Sequence, residues 1–296
     1  MSSASLTILR RFAVVAAAVA LLTGAGRESA VAQVMLRTAD VATSPDGIRI
    51  AYEAHGEGTP ALVFVHGWSC DRSYWNAQLG PFSRRYRVVA VDLAGHGESG
   101  AGREAWTMAA FGGDVAAVVE KLGLQRVILI GHSMGGDVIA EAARRLPGRV
   151  VGLIWVDTYR QLRTPRTSEQ VQAFMAPLRA SFADSTRALV RGMFVPTSDR
   201  VLVERVAADM SSAPPEVALG ALESALSYSR EMPHTLEELR LPVVAINPDN
   251  GPTDVASMQR YGVEVIMMPG VDHFLFMEDP ARFNGLLATA IDRLAR

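Results

Sequence analysis

Ser133 is the residue around which covalent chemistry can be built. It stands at the centre of Gly131-His-Ser-Met-Gly135, behind the uncharged run Val127-Ile-Leu-Ile. Such a β-branched and aliphatic run reads as a strand buried on both faces. After Gly136, Val138, Ala142 and Leu146 recur at helical spacing, Arg144 and Arg145 fall in the last turn, and Pro147 closes the helix. The serine therefore sits on a strand-to-helix turn. There its backbone is strained, its Oγ is pushed out at the carboxyl end of the sheet, and glycines two residues to either side let strand and helix approach closely. The amide of Met134, opening the helix, points to where an oxyanion would form. A serine hydroxyl is a poor nucleophile at neutral pH, so such a site also needs a base within hydrogen-bond reach.

The rest of the chain has the size and the elements to position that serine. Its 296 residues are 49% hydrophobic and 20% charged, enough to bury a large core as one domain with an insertion or as two. A hairpin is expected across Ser44-Pro-Asp-Gly47. Apolar strands are expected over 61–65, ending in His66-Gly67-Trp68, and over 86–91, ending in Asp92-Leu-Ala-Gly-His-Gly-Glu-Ser99. An amphipathic helix over 107–122 is closed by Gly123. The strand over 150–156 ends at Asp157, the one over 241–247 leads to Asp249 and Asp254, and the last, over 263–268, precedes His273. Between 159 and 239 the character changes. Charges and prolines interleave with apolar residues at helical spacing, and no strand-like run interrupts them.

These motifs together resemble the α/β-hydrolase family over nearly everything after residue 40. Asp92 to Ser99 matches the family's D-x-x-G-x-G-x-S loop at every fixed position, and Gly270 to Pro280 matches its G-x-x-H-F-x-x-x-E-x-P pattern. The resemblance implies an α/β fold with a mostly parallel eight-stranded sheet flanked by helices. It splits the mature chain into a core of 33–158 and 240–296 and a helical cap of 159–239 inserted after strand 6. It also implies a nucleophile, acid and base in the chain order Ser, acid, His. His234 and His273 follow Ser133. His273, in the loop beyond the last strand, takes the base, while His234 falls at the end of the cap. Asp249 leads for the acid because the family usually places it directly after the seventh strand. Asp157, after the sixth, and Asp254, a few residues on, compete with it. The amides of Trp68 and Met134 become the oxyanion donors. One departure from the pattern is Asp272, where a small residue often precedes the histidine.

Trp68, Met193 and Phe194 are expected along the substrate pocket, with Met175 and Met210 placed either there or in the cap's own core. His66 and His96 have structural roles, and Cys70 is a buried small hydrophobe. That single cysteine excludes an intrachain disulfide and a cysteine-based metal site, and the chemistry asks for neither cofactor nor metal. A formal net charge of −2 offers no footprint for nucleic acid. A serine nucleophile points to hydrolysis of a small, largely apolar ester, lactone or thioester through an acyl-serine. The alternatives are a perhydrolase or haloperoxidase-type activity on the same residues, and a non-catalytic ligand-binding protein on the same scaffold. The expected partner is a small-molecule acyl substrate. Oligomeric state has no sequence signal.

The first stretch reads as an address. Arg10-Arg11 precede an uncharged run over 12–22, and Ala30-Val-Ala32 forms a small-residue cleavage site. This matches a secretory signal peptide over 1–32, and the run is short of the roughly 20 residues that span a bilayer. The expectation is export to a periplasm or the outside, with no stable membrane span after cleavage.

Overall fold

The uncharged apolar runs become strands. In the computed structural model, which describes residues 37–295, eight of them share one sheet. They are β1 (Arg37–Thr43), β2 (Arg49–His55), β3 (Ala61–Val65), β4 (Val88–Val91), β5 (Val127–His132), β6 (Val150–Val156), β7 (Val243–Pro248) and β8 (Val263–Met268). Their order is β1-β2-β4-β3-β5-β6-β7-β8. The first two pairings, β1 with β2 and β2 with β4, are antiparallel; from β4 to β8 the sheet is parallel. Every residue of β3, β4 and β5 is buried, as strands covered on both faces require, whereas edge strand β8 mixes buried and exposed positions. The expected signal peptide over 1–32 lies outside the described residues.

Parallel neighbours need crossovers, and helices supply them. The core begins with α1 (Asn76–Ser83), α2 (Met108–Lys121) and α3 (Met134–Arg145). Thr107 caps α2 by accepting the Ala110 N–H at 3.1 Å, and Gly123 ends it at φ 64°, as its sequence position predicts. Between β6 and β7 come five helices and no strand: α4 (Ser168–Ala180), α5 (Phe182–Arg191), α6 (Arg200–Met210), α7 (Pro215–Tyr228) and α8 (Met232–Leu239). Thr167 and Gln170 form a capping box at the start of α4, and Pro215 opens α7 at a position where its missing N–H costs nothing. The chain finishes with α9 (Val255–Gln259), α10 (Leu275–Glu278) and α11 (Pro280–Leu294), the last burying Phe283, Leu287, Ile291 and Leu294.

Under the carboxyl edge of the sheet, Trp75 stacks on Phe276 at 4.3 Å between ring centroids, and both are fully buried. Burial of each such side chain contributes about 1.5–3 kcal/mol. The loop that carries His273 is thereby anchored to the same core that backs β5. Because all the parallel strands run the same way, the loops holding Trp68, Ser133, Asp157, Asp249 and His273 all emerge at one edge. Open α/β sheets bind ligands there. Among the described residues no helix is long and apolar enough to cross a membrane.

Candidate active site

Ser133 leaves β5 and caps α3 with φ 52° and ψ −121°. A non-glycine residue held there costs on the order of 1–3 kcal/mol, so the surroundings must over-determine it. They do. Its N–H donates to the Val156 carbonyl on β6 at 2.9 Å, and its carbonyl accepts the Gly136 N–H at 2.9 Å. The motif glycines make the approach possible: a Cβ on Gly131 would lie 2.3 Å from the Gly135 carbonyl oxygen, and one on Gly135 would lie 2.6 Å from that of His66.

Met134 is the first residue of α3, where an amide has no intrahelical acceptor. Neither its N–H nor that of Trp68 has an acceptor among the described residues, and both residues border the cavity that Ser133 borders. The Trp68 indole donates to the Ala218 carbonyl of α7 at 2.7 Å and meets Phe182 edge-on. One side chain thus ties the loop after β3 to helices α5 and α7.

His273 Nδ1 donates to Asp157 Oδ2 at 2.7 Å. This corrects the expectation that Asp249 would face the histidine. The reason is register. Val156 of β6 pairs with Ile246 of β7, so Asn247 is level with Asp157 and β7 continues to Pro248. Asp249 is carried two residues past that level, is exposed, and spends its carboxylate on the Gly270 N–H at 3.0 Å. Asp254 is also elsewhere: it caps α9 through the Ser257 N–H at 3.0 Å and pairs with Arg163. Asp157 leaves the strand next to Ser133 with φ 43° and its carboxylate buried.

A second layer holds this pair. Arg160 reaches both Asp157 oxygens, at 3.1 and 3.3 Å, and also touches Asp272 at 3.3 Å and the Asn250 carbonyl at 3.1 Å. Asn250 donates to Asp272 as well. Asp272, the departure noted in the sequence, therefore completes a clamp on the arginine that braces the acid. Burial alone would raise the Asp157 carboxyl, but the His273 bond and the Arg160 charge outweigh it and hold it down at about 2. The backbone of His273 is pinned from two sides: its carbonyl accepts His132 Nε2–H at 2.9 Å, and its N–H donates to the Met193 carbonyl at 3.2 Å. Burial holds His132 neutral, well below its ordinary range. Sequence reasoning missed Arg160 and His132 in these roles. His132 had a signal in its place inside the elbow motif; Arg160 had only its spacing of three from Asp157.

The cavity in front of Ser133 and His273 holds about 880 Å³. Trp68, Met193 and Met210 line it. Phe194 does not; it stacks on Phe274 at 5.0 Å and so backs a wall residue rather than forming the wall. Met175 is fully buried on α4 and is not part of the cavity wall. His66 bridges two loops, its Nδ1–H donating to the Gly67 carbonyl at 2.8 Å while Nε2 accepts the Leu93 N–H at 3.0 Å, and burial lowers its pKa to about 4. His96 is likewise buried, lowered to about 3, with Nδ1 on the Ala94 carbonyl. Burial pushes the Cys70 thiol up, against a thiolate. His234 is exposed beside Glu238 on α8, away from the cavity. Among the described residues no group of three or more His, Cys, Asp or Glu could hold a metal.

Residues 62–286 match the Alpha/beta hydrolase family. Over 132 residues the chain is 39% identical to the dihydrolipoyllysine-residue acetyltransferase component of the acetoin cleaving system of Cupriavidus necator, which covers 45% of this chain and 34% of that protein. Over 116 residues it is 40% identical to a non-heme haloperoxidase of Rhodococcus erythropolis, 38% of this chain and 42% of that one. The chain thus spans less than half the length of these two curated relatives. A thermophilic esterase from Thermogutta terrifontis superposes with a TM-score of 0.73 at 24% identity, over 88% of this chain and 100% of that one. With the matched segment covering most of its length, and the strained serine where β5 meets α3, the chain belongs to the α/β hydrolase family.

Proposed function

We propose that this protein is a serine hydrolase that cleaves carboxylic esters through an acyl-serine intermediate, with Ser133 as nucleophile, His273 as base and Asp157 as acid. The observation that carries the reading is the 2.7 Å contact between His273 and Asp157 beside a cavity that Ser133 shares. With Nδ1 committed to Asp157, Nε2 is the nitrogen left to take the serine proton. Ser133 Oγ attacks the ester carbonyl as its proton passes to His273. The oxyanion is met by the Trp68 and Met134 amides, and the imidazolium is stabilised by Asp157. His273 then protonates the departing alkoxide, giving the free alcohol and the acyl-serine. Water, deprotonated by His273, attacks that ester and releases the acid, and the proton returns to Ser133.

A fluorophosphonate probe tests this directly. It should label the wild type and fail on Ser133→Ala and His273→Ala, with turnover of p-nitrophenyl acyl esters lost in parallel. Ester turnover that survives Ser133→Ala would place the chemistry elsewhere, and a folded wild type without turnover or labelling would favour a ligand-binding role. The likeness to the Rhodococcus haloperoxidase supports a second reading, in which hydrogen peroxide replaces water in deacylation and a peracid leaves. Peracid yield from acid and peroxide separates the two.

A further inference from the structure

The cavity has two unlike sides. The cap contributes apolar side chains such as Phe174, Leu189 and Leu222, while the segment that follows Asp157 contributes Thr158, Tyr159 and Gln161. On the polar side lies a carboxyl group that the proposed mechanism does not use. Asp137 sits in the first turn of α3, four residues past Ser133, and lines the same cavity while only 4% exposed. A helix rises 1.5 Å per residue, so it stands about 6 Å along the axis from the nucleophile.

Asp137 has no cation. Among the described residues its one hydrogen bond comes from the Tyr159 hydroxyl, which donates to Oδ1 at 2.6 Å, and Oδ2 has no partner among them. Tyr159 is itself fixed: its carbonyl accepts Asn247 Nδ2–H at 2.8 Å and its ring lies 5.2 Å from that of Trp155. Burial pushes the Asp137 carboxyl up to about 8, against the Tyr159 bond that pulls it down. Burial thus favours the carboxylic acid over the carboxylate at neutral pH, and the acid carries an O–H donor on the oxygen that lacks a partner. Buried polar atoms are normally satisfied, and an unsatisfied carboxyl oxygen on a cavity wall marks where a ligand supplies the missing bond.

Resting on the hydrolase reading above, we propose that the Asp137 carboxyl, oriented by Tyr159, is a polar subsite. It donates a hydrogen bond to an uncharged substrate oxygen (hydroxyl, ether or keto) a few bonds from the scissile carbonyl. The preferred substrates are therefore oxygen-substituted esters, with the remaining apolar part against the cap.

Two matched pairs of esters test this on the full chain, each pairing a plain alkyl compound with one carrying a hydroxyl or keto oxygen. The oxygen lies in the acyl chain in one pair and in the alcohol in the other. In at least one pair the wild type should favour the oxygenated member by about 10-fold in kcat/KM, the order of one hydrogen bond to a neutral partner. Asp137→Leu should erase that preference and Asp137→Asn, which keeps a neutral donor, should retain it. If Asp137→Leu does not fold, Tyr159→Phe carries the test, because it removes the hydroxyl that orients the carboxyl and should weaken the preference. No preference in either pair, one that survives Asp137→Leu or Tyr159→Phe, or a preference for cationic esters would overturn the proposal. Fluorophosphonate labelling of Ser133 in the wild type keeps the outcomes apart: a labelled enzyme without the preference refutes the subsite alone, and an unlabelled one refutes the hydrolase.

Discussion

Asp157 and His273 lie 116 residues apart in the chain and meet at 2.7 Å, while Asp249, much nearer in sequence, bonds the Gly270 amide instead. If the contact is catalytic, Asp157→Asn should lower kcat on the order of 10⁴-fold. The amide keeps the shape but loses the charge and favours the wrong imidazole tautomer. Asp249→Asn should remain within a few-fold of wild type. Steady-state turnover of a p-nitrophenyl ester, with circular dichroism to confirm folding, checks both; the reverse pattern would return the role to Asp249.

The arginine behind the acid yields a prediction about stability. Arg160 and His273 hold the Asp157 carboxyl at about 2, below its ordinary 3.8. A depressed carboxyl stabilises the fold above its unfolded pKa, and that contribution is lost as pH falls through its folded pKa. Arg160→Ala removes the guanidinium that helps hold the carboxyl down, so its deficit in urea midpoint relative to wild type should be largest above about pH 4 and shrink toward pH 2. A deficit independent of pH would mean that Arg160 acts by packing alone.

The fold was legible because its signals are local. Runs such as Val127-Ile-Leu-Ile and turns such as Gly131-His-Ser-Met-Gly135 declare a buried strand and an elbow within ten residues. Ser133 and His273 carried motif context of this kind. The acid did not, because three aspartates follow strands or loops at one sheet edge. What separates them is where β7 stands relative to β6, with Ile246 level with Val156. That is a tertiary quantity with no local sequence mark. Phe194 was misplaced for a similar reason. An apolar residue at helical spacing can face a cavity or back its wall, and only the stacking on Phe274 distinguishes the two.

We propose that the chain is exported, on the evidence of Arg10-Arg11, the apolar run over 12–22 and Ala30-Val-Ala32. Mass spectrometry of protein recovered from the native host's envelope should give an N-terminus at Gln33. Intact Met1 on cytosolic protein would exclude it.

The neutral state of Asp137 can be read without any substrate. An unfolded aspartate ionises near 3.8, whereas in the fold burial pushes this one up to about 8. Between those values the native state binds a proton that the unfolded chain has lost. Its contribution to stability therefore falls as pH rises, by at most about 1.4 kcal/mol per pH unit. Asn cannot ionise, so Asp137→Asn should gain on wild type steadily from about pH 4 to about pH 8 and then level off. The ionisable groups packed nearby are Tyr159 after β6, Glu141 on α3 and Tyr228 on α7, whose hydroxyl donates to Glu141 at 2.7 Å. All three are common to both proteins, so the difference isolates Asp137. Urea midpoints at pH 5, 6, 7 and 8 provide the measurement. A constant offset across that range would mean the carboxyl is already ionised in the fold, and the donor on which the polar subsite depends would be absent.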